Sequence, residues 1–467
     1  MTSLNRQAAY AQQPEERELI RRYGSVAAGV LLMIAVGSNH AISAWNAQLK
    51  AELDYSQAEI SMVCSMASFG AYFSVSPGYV FDHIGAHKSV LLGAFLLCSI
   101  FLGLYAGIVE YPRSMHPLGV GVAFAIMGQA TNFGVFAALG PNEGLFGDKN
   151  RGKIMALQLA AFSAGGALFA LVYNLYFDQN VPGYFQFMAM LMLVVFLFSW
   201  FALYRDPAYE GDSAEGVHKS AMDEFMPPES DDDDDATEDK LEENQLRPIA
   251  HSTTDITGKA LLTDSRFWLL FSTVFILVGS SLFVMANIAF IVESLGGPME
   301  QVPIMVALFS VGNCCGRLVG GIVSDHVLAR CPRIYFVSLA SVLVACIHTL
   351  FLVLPAAYLV VPITMSGVAD GVMFAAFPVL TRETFGARHF GKNFGMMSVA
   401  NAIGFPLFYN PLGSFFYRLS STSVDSVEKC FGLQCFRPVF LLVVGLSCVA
   451  FAASLKFAAR QKYLPLR

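Results

Sequence analysis

Apolar stretches of membrane-spanning length recur along the chain, divided by short polar segments. About 20 mostly apolar residues cross a bilayer as a helix. On that basis the pattern predicts twelve spans: 24–49, 57–81, 89–109, 118–139, 153–177 and 184–204, then 266–293, 302–324, 334–354, 357–380, 393–417 and 438–457. The reading is an all-α membrane protein with twelve transmembrane helices in two six-helix halves. Its parts are a tail (1–23), a first half (24–204), a linker (205–265), a second half (266–457) and a second tail (458–467).

The polar segments repeat. Gly78-Tyr-Val-Phe-Asp82-His83-Ile-Gly85-Ala-His87-Lys88 joins the second and third spans in a hairpin pinned at the membrane surface. Gly78 lets a neighbouring helix approach closely. Asp82 is expected to end one helix and cap the next. Gly85 permits the turn, and Lys88 supplies an interfacial cation. Gly321-Ile-Val-Ser-Asp325-His326 follows the eighth span, its aspartate 243 positions after Asp82. A second pair is Phe146-Gly147-Asp-Lys-Asn-Arg-Gly152-Lys153 and Phe385-Gly386-Ala-Arg-His-Phe-Gly391-Lys392, with identical Phe-Gly-x4-Gly-Lys spacing. A phosphate-binding loop is excluded there, because no strand precedes it and no Gly-Lys-Ser/Thr occurs. Gly37/Gly279, Ser38/Ser280 and Leu53/Leu295 keep one offset between the first and seventh spans. Two blocks with matching motifs indicate parallel repeats.

The Gly-x-x-x-Asp-x-x-Gly-x-His-Lys loop resembles the loop motif of the major facilitator superfamily of secondary transporters. The copy at Gly321 and Asp325 lacks the later glycine. The resemblance covers nearly the whole chain and implies a cytoplasmic latch between the halves, a role carried to Asp82 and Asp325. The Gly147/Gly152 and Gly386/Gly391 loops are expected to gate beside it. Leu-x-Tyr55-Ser56-Gln57, Gly279-Ser280, Asn313-x-x-Gly316-Arg317-x-x-x-Gly321-x-x-Ser-Asp325 and Glu383-x-Phe-Gly-x-x-His389-Phe-Gly391 together are similar to the nodulin-like branch. That branch neighbours the monocarboxylate and oxalate/formate transporters. Monocarboxylate transporters carry an aspartate where Asn313 stands, and their first-span lysine falls near Ala44. Nodulin-like relatives are associated with varied solutes, including organic acids and metals.

Charge adds orientation. Of 29 Lys and Arg, five (Lys50, Arg113, Arg418, Lys429, Arg437) fall in loops of one side and Arg317 falls inside a span, which leaves 23 on the other side. This bias places both termini in the cytoplasm; plasma and vacuole-like membranes fit equally. Only 14% of residues are charged, against about 25% in soluble domains. Much of the acid lies in the linker, where Ser230 precedes aspartates 231–235 and then Glu238, Asp239, Glu242 and Glu243. Such a segment cannot bury enough apolar surface to fold and is expected to be disordered. Ser230 is a candidate phosphorylation site, with a solvated spacer the plainer reading. No feature indicates nucleic acid. Cys430 and Cys435 share a loop expected outside, in an oxidising compartment. A disulfide is favoured over two free thiols, and relatives have a similar pair.

Ionisable residues inside a membrane cost roughly 2.5–3.5 kcal/mol or more and are functional candidates. Arg317 can hold an anion bidentately, and Asp370, near the middle of the tenth span, can load a proton or bind a cation. A mutual salt bridge between them carries equal weight. Asn39, His40, Trp45, Gln129, Asn132, Asn287 and Asn313 complete the expected substrate path. Interhelical hydrogen bonding is the alternative for Asn39 and His40, and packing for Trp45. No cysteine or histidine spacing indicates a metal site, and no nucleophile or paired-carboxylate arrangement indicates an enzyme or cofactor. The expectation is a monomeric transporter of a small polar solute by alternating access. An organic anion is the candidate cargo and a proton the candidate co-substrate. The rivals are a transport-inactive sensor signalling through the linker and a metal or metal-chelate exporter.

Overall fold

The computed structural model describes residues 3–177, 179–205, 255–408, 415, 422–424 and 427–461. Helix α1, Ser3–Gly37, runs without a break from the polar stretch expected to be a tail into the first span. At Ser38–Ala41 the helix tightens to a 3-10 turn and resumes as α2, Ile42–Glu52. Gly37 marks the change because α1 crosses another helix there: a Cβ on Gly37 would meet the backbone of Phe162 and Gly165.

The second span is also divided. Helix α3, Gln57–Tyr72, starts with a reciprocal cap between Ser56 and Glu59, which satisfies two of the amides a helix start leaves open. After Phe73 and Ser74 the chain continues as α4, Val75–Ile84. Pro77 causes part of this break: it has no N–H for the Phe73 carbonyl four residues earlier. Then come α5, Ala86–Glu110, α6, Pro117–Asn142, α7, Arg151–Val172, and α8, Val181–Ala202.

The second half opens with short α9, Lys259–Thr263, and continues with α10, Ser265–Ser294, α11, Val302–Val327, α12, Ile334–Val353, α13, Val360–Phe385, α14, Phe390–Leu407, and α15, Arg437–Arg460. Among the described residues, 11 helices are long and apolar enough to cross a membrane. The span expected at 393–417 corresponds to α14, and most of its later residues lie outside the described set. A short two-stranded antiparallel hairpin, Thr422–Val424 with Val427–Lys429, accompanies the helices. Cys430 and Cys435 are disulfide-bonded, and the Gly432 amide ties their loop to the Ser294 carbonyl at 2.7 Å.

Lipid offers helices no hydrophobic reason to associate, so close packing must hold the bundle. In the second half α11 and α13 touch backbone to backbone: a Cβ on Gly316 would meet the Val368 carbonyl, and one on Gly371 the Asn313 carbonyl. The two halves meet where α7 packs on α11 and where α14 packs on α4.

One expectation is corrected at the linker. Ser230 and residues 206–254 lie outside the described residues; residues 255–264, expected to be part of the disordered linker, pack against the second half. The Ile256 amide bonds to the Phe385 carbonyl at 3.0 Å, Asn393 Nδ2 reaches the Ile256 carbonyl at 2.8 Å, and Leu261 is buried. Ile256 and Leu261 bring the apolar surface that the acidic part of the linker lacks.

Candidate functional site

The two repeated motifs read separately in the sequence interlock in the fold. Asp82 does not cap the helix that follows it. It lies inside α4, Gly85 makes the turn at φ +82°, and the carboxylate points into the other half. There Oδ1 accepts from the Gly391 amide and Oδ2 from the Lys392 amide, each at 2.8 Å. Asp325 mirrors it on α11, accepting from the amides of Gly152 at 3.0 Å and Lys153 at 2.7 Å. Each aspartate thus caps the helix that begins at the Gly-Lys of the opposite half. Such amides have no partner within their own helix, and a carboxylate there also offsets the helix dipole. Small residues bring the backbones together: a Cβ on Gly78 would meet the Gly391 carbonyl, and one on Gly321 would meet Ala156 and the Gly152 carbonyl. Gly147 and Gly386 adopt φ of +76° and +98° in the turns leading to the capped helices, a region that only glycine enters freely. Lys88 is exposed at the start of α5.

A chain of alternating charges surrounds the Asp325 cap. Arg333 Nη1 lies 2.6 Å from Asp325 and its Nε 2.9 Å from Glu383. Glu383 is 3.5 Å from Arg151, Arg151 pairs with Glu143, and Glu143 is 2.6 Å from Arg382. Arg151 and Glu143 belong to the first half and the other four to the second. The sequence reading passed over Glu143, Arg151, Arg333 and Arg382. Their signal was present as charges of both signs flanking the ends of apolar runs, but only the fold shows that they meet.

Inside the bundle, Arg317 and Asp370 are buried, at 5% and 2% exposure, yet they do not form the direct salt bridge considered above. Asn313 stands between them. Its Nδ2 donates to Asp370 Oδ2 at 2.5 Å, and its Oδ1 accepts from Arg317 Nε at 2.9 Å and from Ser163 Oγ of the first half at 3.0 Å. Arg317 Nη1 donates to the Leu159 carbonyl at 2.9 Å, and the guanidinium lies 4.4 Å over the Phe374 ring. The other oxygen of Asp370 is buried without a hydrogen-bond partner. His40 projects from the 3-10 turn, is exposed, and packs edge-on against Phe162 at 5.0 Å. Tyr72 and His40 lie within electrostatic reach of Arg317.

The remaining residues of the expected path sit elsewhere. Gln129 repairs the break in the second span. Its Nε2 donates to the carbonyls of Gly70 and Phe73, and its Oε1 accepts from Ser76 Oγ at 2.6 Å. Asn132 reaches the Ala71 carbonyl at 3.0 Å. Carbonyls freed within a bilayer must find partners inside the protein, and these two amides supply them. Gln129→Leu is therefore expected to cost about 1–3 kcal/mol through unsatisfied carbonyls, read as a lowered melting temperature in detergent. Trp45 is 3% exposed and stacks on Phe124 at 5.5 Å. With Ser38, Asn39, Thr131 and Tyr184 it lines a small cavity inside the first half. Asn287 bonds to the Phe283 carbonyl of its own helix.

Two helical blocks joined by capped loops, with buried charge where they touch, form the architecture of a secondary transporter. The chain belongs to the Major Facilitator Superfamily, whose family description matches residues 27–404 and again 269–465. This is a superfamily of transporters, not enzymes. The chain is 22% identical to "Probable transporter mch1" of Emericella nidulans over an alignment of 522 positions, covering 91% of this chain and 83% of that protein. Solved structures share the fold at low identity. The proton:xylose symporter XylE matches with TM-score 0.65 at 14% identity, over 94% of this chain and 96% of its own. A bacterial homologue of ferroportin in an outward-facing state matches with TM-score 0.63 at 14% identity, over 94% and 99%.

Proposed function

We propose that this transporter moves a small organic anion by alternating access, acting as a monomer, and that Arg317 holds the anion. One observation carries the reading: among the described residues, a guanidinium buried where the halves meet has no carboxylate within ion-pair distance. A buried cation left in that condition favours an anionic ligand. Asp370 is the proposed proton carrier, because it is a buried carboxylate linked to Arg317 through Asn313 and one of its oxygens has no hydrogen-bond partner. The Asp82 and Asp325 caps are the proposed gate, closing the face on which the Lys/Arg bias places the cytoplasm and both termini. The halves, 24–204 and 266–457, would rock about the central contact. The Glu383–Gly391 pattern supports a place in the nodulin-like branch.

The test uses purified protein in liposomes, with flux of acetate, pyruvate, succinate and inorganic phosphate measured with and without a pH gradient. Saturable flux of at least one carboxylate is expected. Asp370→Asn should abolish accumulation driven by the gradient and retain exchange, since an amide cannot cycle a proton. Specific anion binding without flux would support a sensor instead.

A further inference from the structure

The contacts of Arg317 combine two uses that compete. It is the proposed anion ligand, and it also ties the halves together, because Leu159 lies on α7 of the first half. The tie is unequal. Leu159 sits inside a regular helix, so its carbonyl already accepts the amide four residues on. Ser163 likewise has a fallback: besides Asn313 Oδ1 at 3.0 Å, its hydroxyl lies 3.4 Å from the same Leu159 carbonyl. If the halves part here, α7 keeps its hydrogen bonds. Among the described residues the loss falls on Arg317, with the Cys314 thiol giving up a weaker contact to the Ala160 carbonyl at 4.0 Å.

Resting on the anion-site reading above, we propose that the cargo anion unties the middle of the interface by replacing the Leu159 carbonyl as the acceptor for Arg317. A carboxylate makes charge-assisted bonds to a guanidinium that are roughly twice as strong as those of a neutral carbonyl. Asn313 is the positioning residue. Its hold on Nε keeps the guanidinium plane over Phe374, so that the Nη groups alone exchange partners. The loop caps differ in kind, because Asp82 and Asp325 satisfy amides with no helical partner. Anion binding therefore loosens the centre first and leaves the loop caps as the later barrier.

The experiment places one cysteine at Ala156, which is buried against Gly321 on the loop side of the tie, in a chain whose seven free cysteines are replaced. The probes are millimolar sodium pyruvate and disodium succinate, with sodium chloride as the ionic control. An anion that raises the melting temperature is expected to speed alkylation of this cysteine about tenfold by shifting the population toward the open form. Arg317→Met should be alkylated fast without anion and show no further response. Ser163→Ala, which retains the guanidinium and guards against a folding failure of Arg317→Met, should bind the anion and open at a lower concentration. Stabilisation by an anion with unchanged or slower alkylation would overturn the untying proposal and leave the site intact. Absence of stabilisation by any of these anions would overturn the site reading itself, and this proposal with it.

Discussion

Glu143→Gln is expected to open the loop face. The carboxylate is 2% exposed and stands between Arg151 of its own half and Arg382 of the other. Removing one member of a buried ion pair costs about 3–5 kcal/mol, because the partner charge stays behind without compensation. Arg382 has no other ion pair among the described residues, so it bears most of this loss. The cost falls on the closed arrangement, since Arg382 crosses to Glu143 only while the halves touch. At 1.4 kcal/mol per tenfold change, the ratio of closed to open molecules should fall by about two to three orders of magnitude. Alkylation of a cysteine at Ala156 reads that ratio directly. A second change, Arg382→Gln in the same chain, should restore much of the closure, because neutral groups can replace a buried pair. Unchanged alkylation in Glu143→Gln would show that the aspartate caps alone hold this face shut.

Arg317→Lys should all but stop anion flux while leaving the protein folded. The planar fork serves three neighbours at once: Asn313 Oδ1, the Leu159 carbonyl and the face of Phe374. An ammonium keeps the charge but presents one compact point, so it cannot meet all three and also grip a carboxylate bidentately. Charge-assisted hydrogen bonds are worth about 1.5–3 kcal/mol each, so the expected slowing is about a hundredfold. Flux in liposomes, normalised to folded protein by size-exclusion chromatography, gives the measurement. Flux near the unaltered rate would place the anion-binding group elsewhere.

Much of the architecture was legible from periodicity, because the length and apolar character of a span are properties of one contiguous stretch. The paired motifs, the turns at Gly85, Gly147 and Gly386, and the Cys430–Cys435 bond were legible for the same reason. Interruptions were less visible. The span expected at 57–81 was read as unbroken despite Pro77, and the amide that mends its break, Gln129, lies 52 positions further on. Asn39 and Trp45 carried the polar and aromatic signature expected of a path, and the fold turned both toward the interior of the first half.

The sequence by itself determined which stretches are long and apolar enough to cross a membrane, which motifs occur twice, and which charges a bilayer would exclude. Tertiary structure decided which groups those charges answer. Asp82 caps a helix 309 positions away and Asp325 one 173 positions back, and no local pattern contains either partner. Arg317 and Asp370 looked like a pair because each is costly alone, yet Asn313 was placed between them by the close crossing of α11 and α13. Hydrophobic burial depends on a residue's own chemistry and so leaves a pattern along the chain. A hydrogen bond depends on the distance and direction of a second group, and those exist only once the two halves have packed.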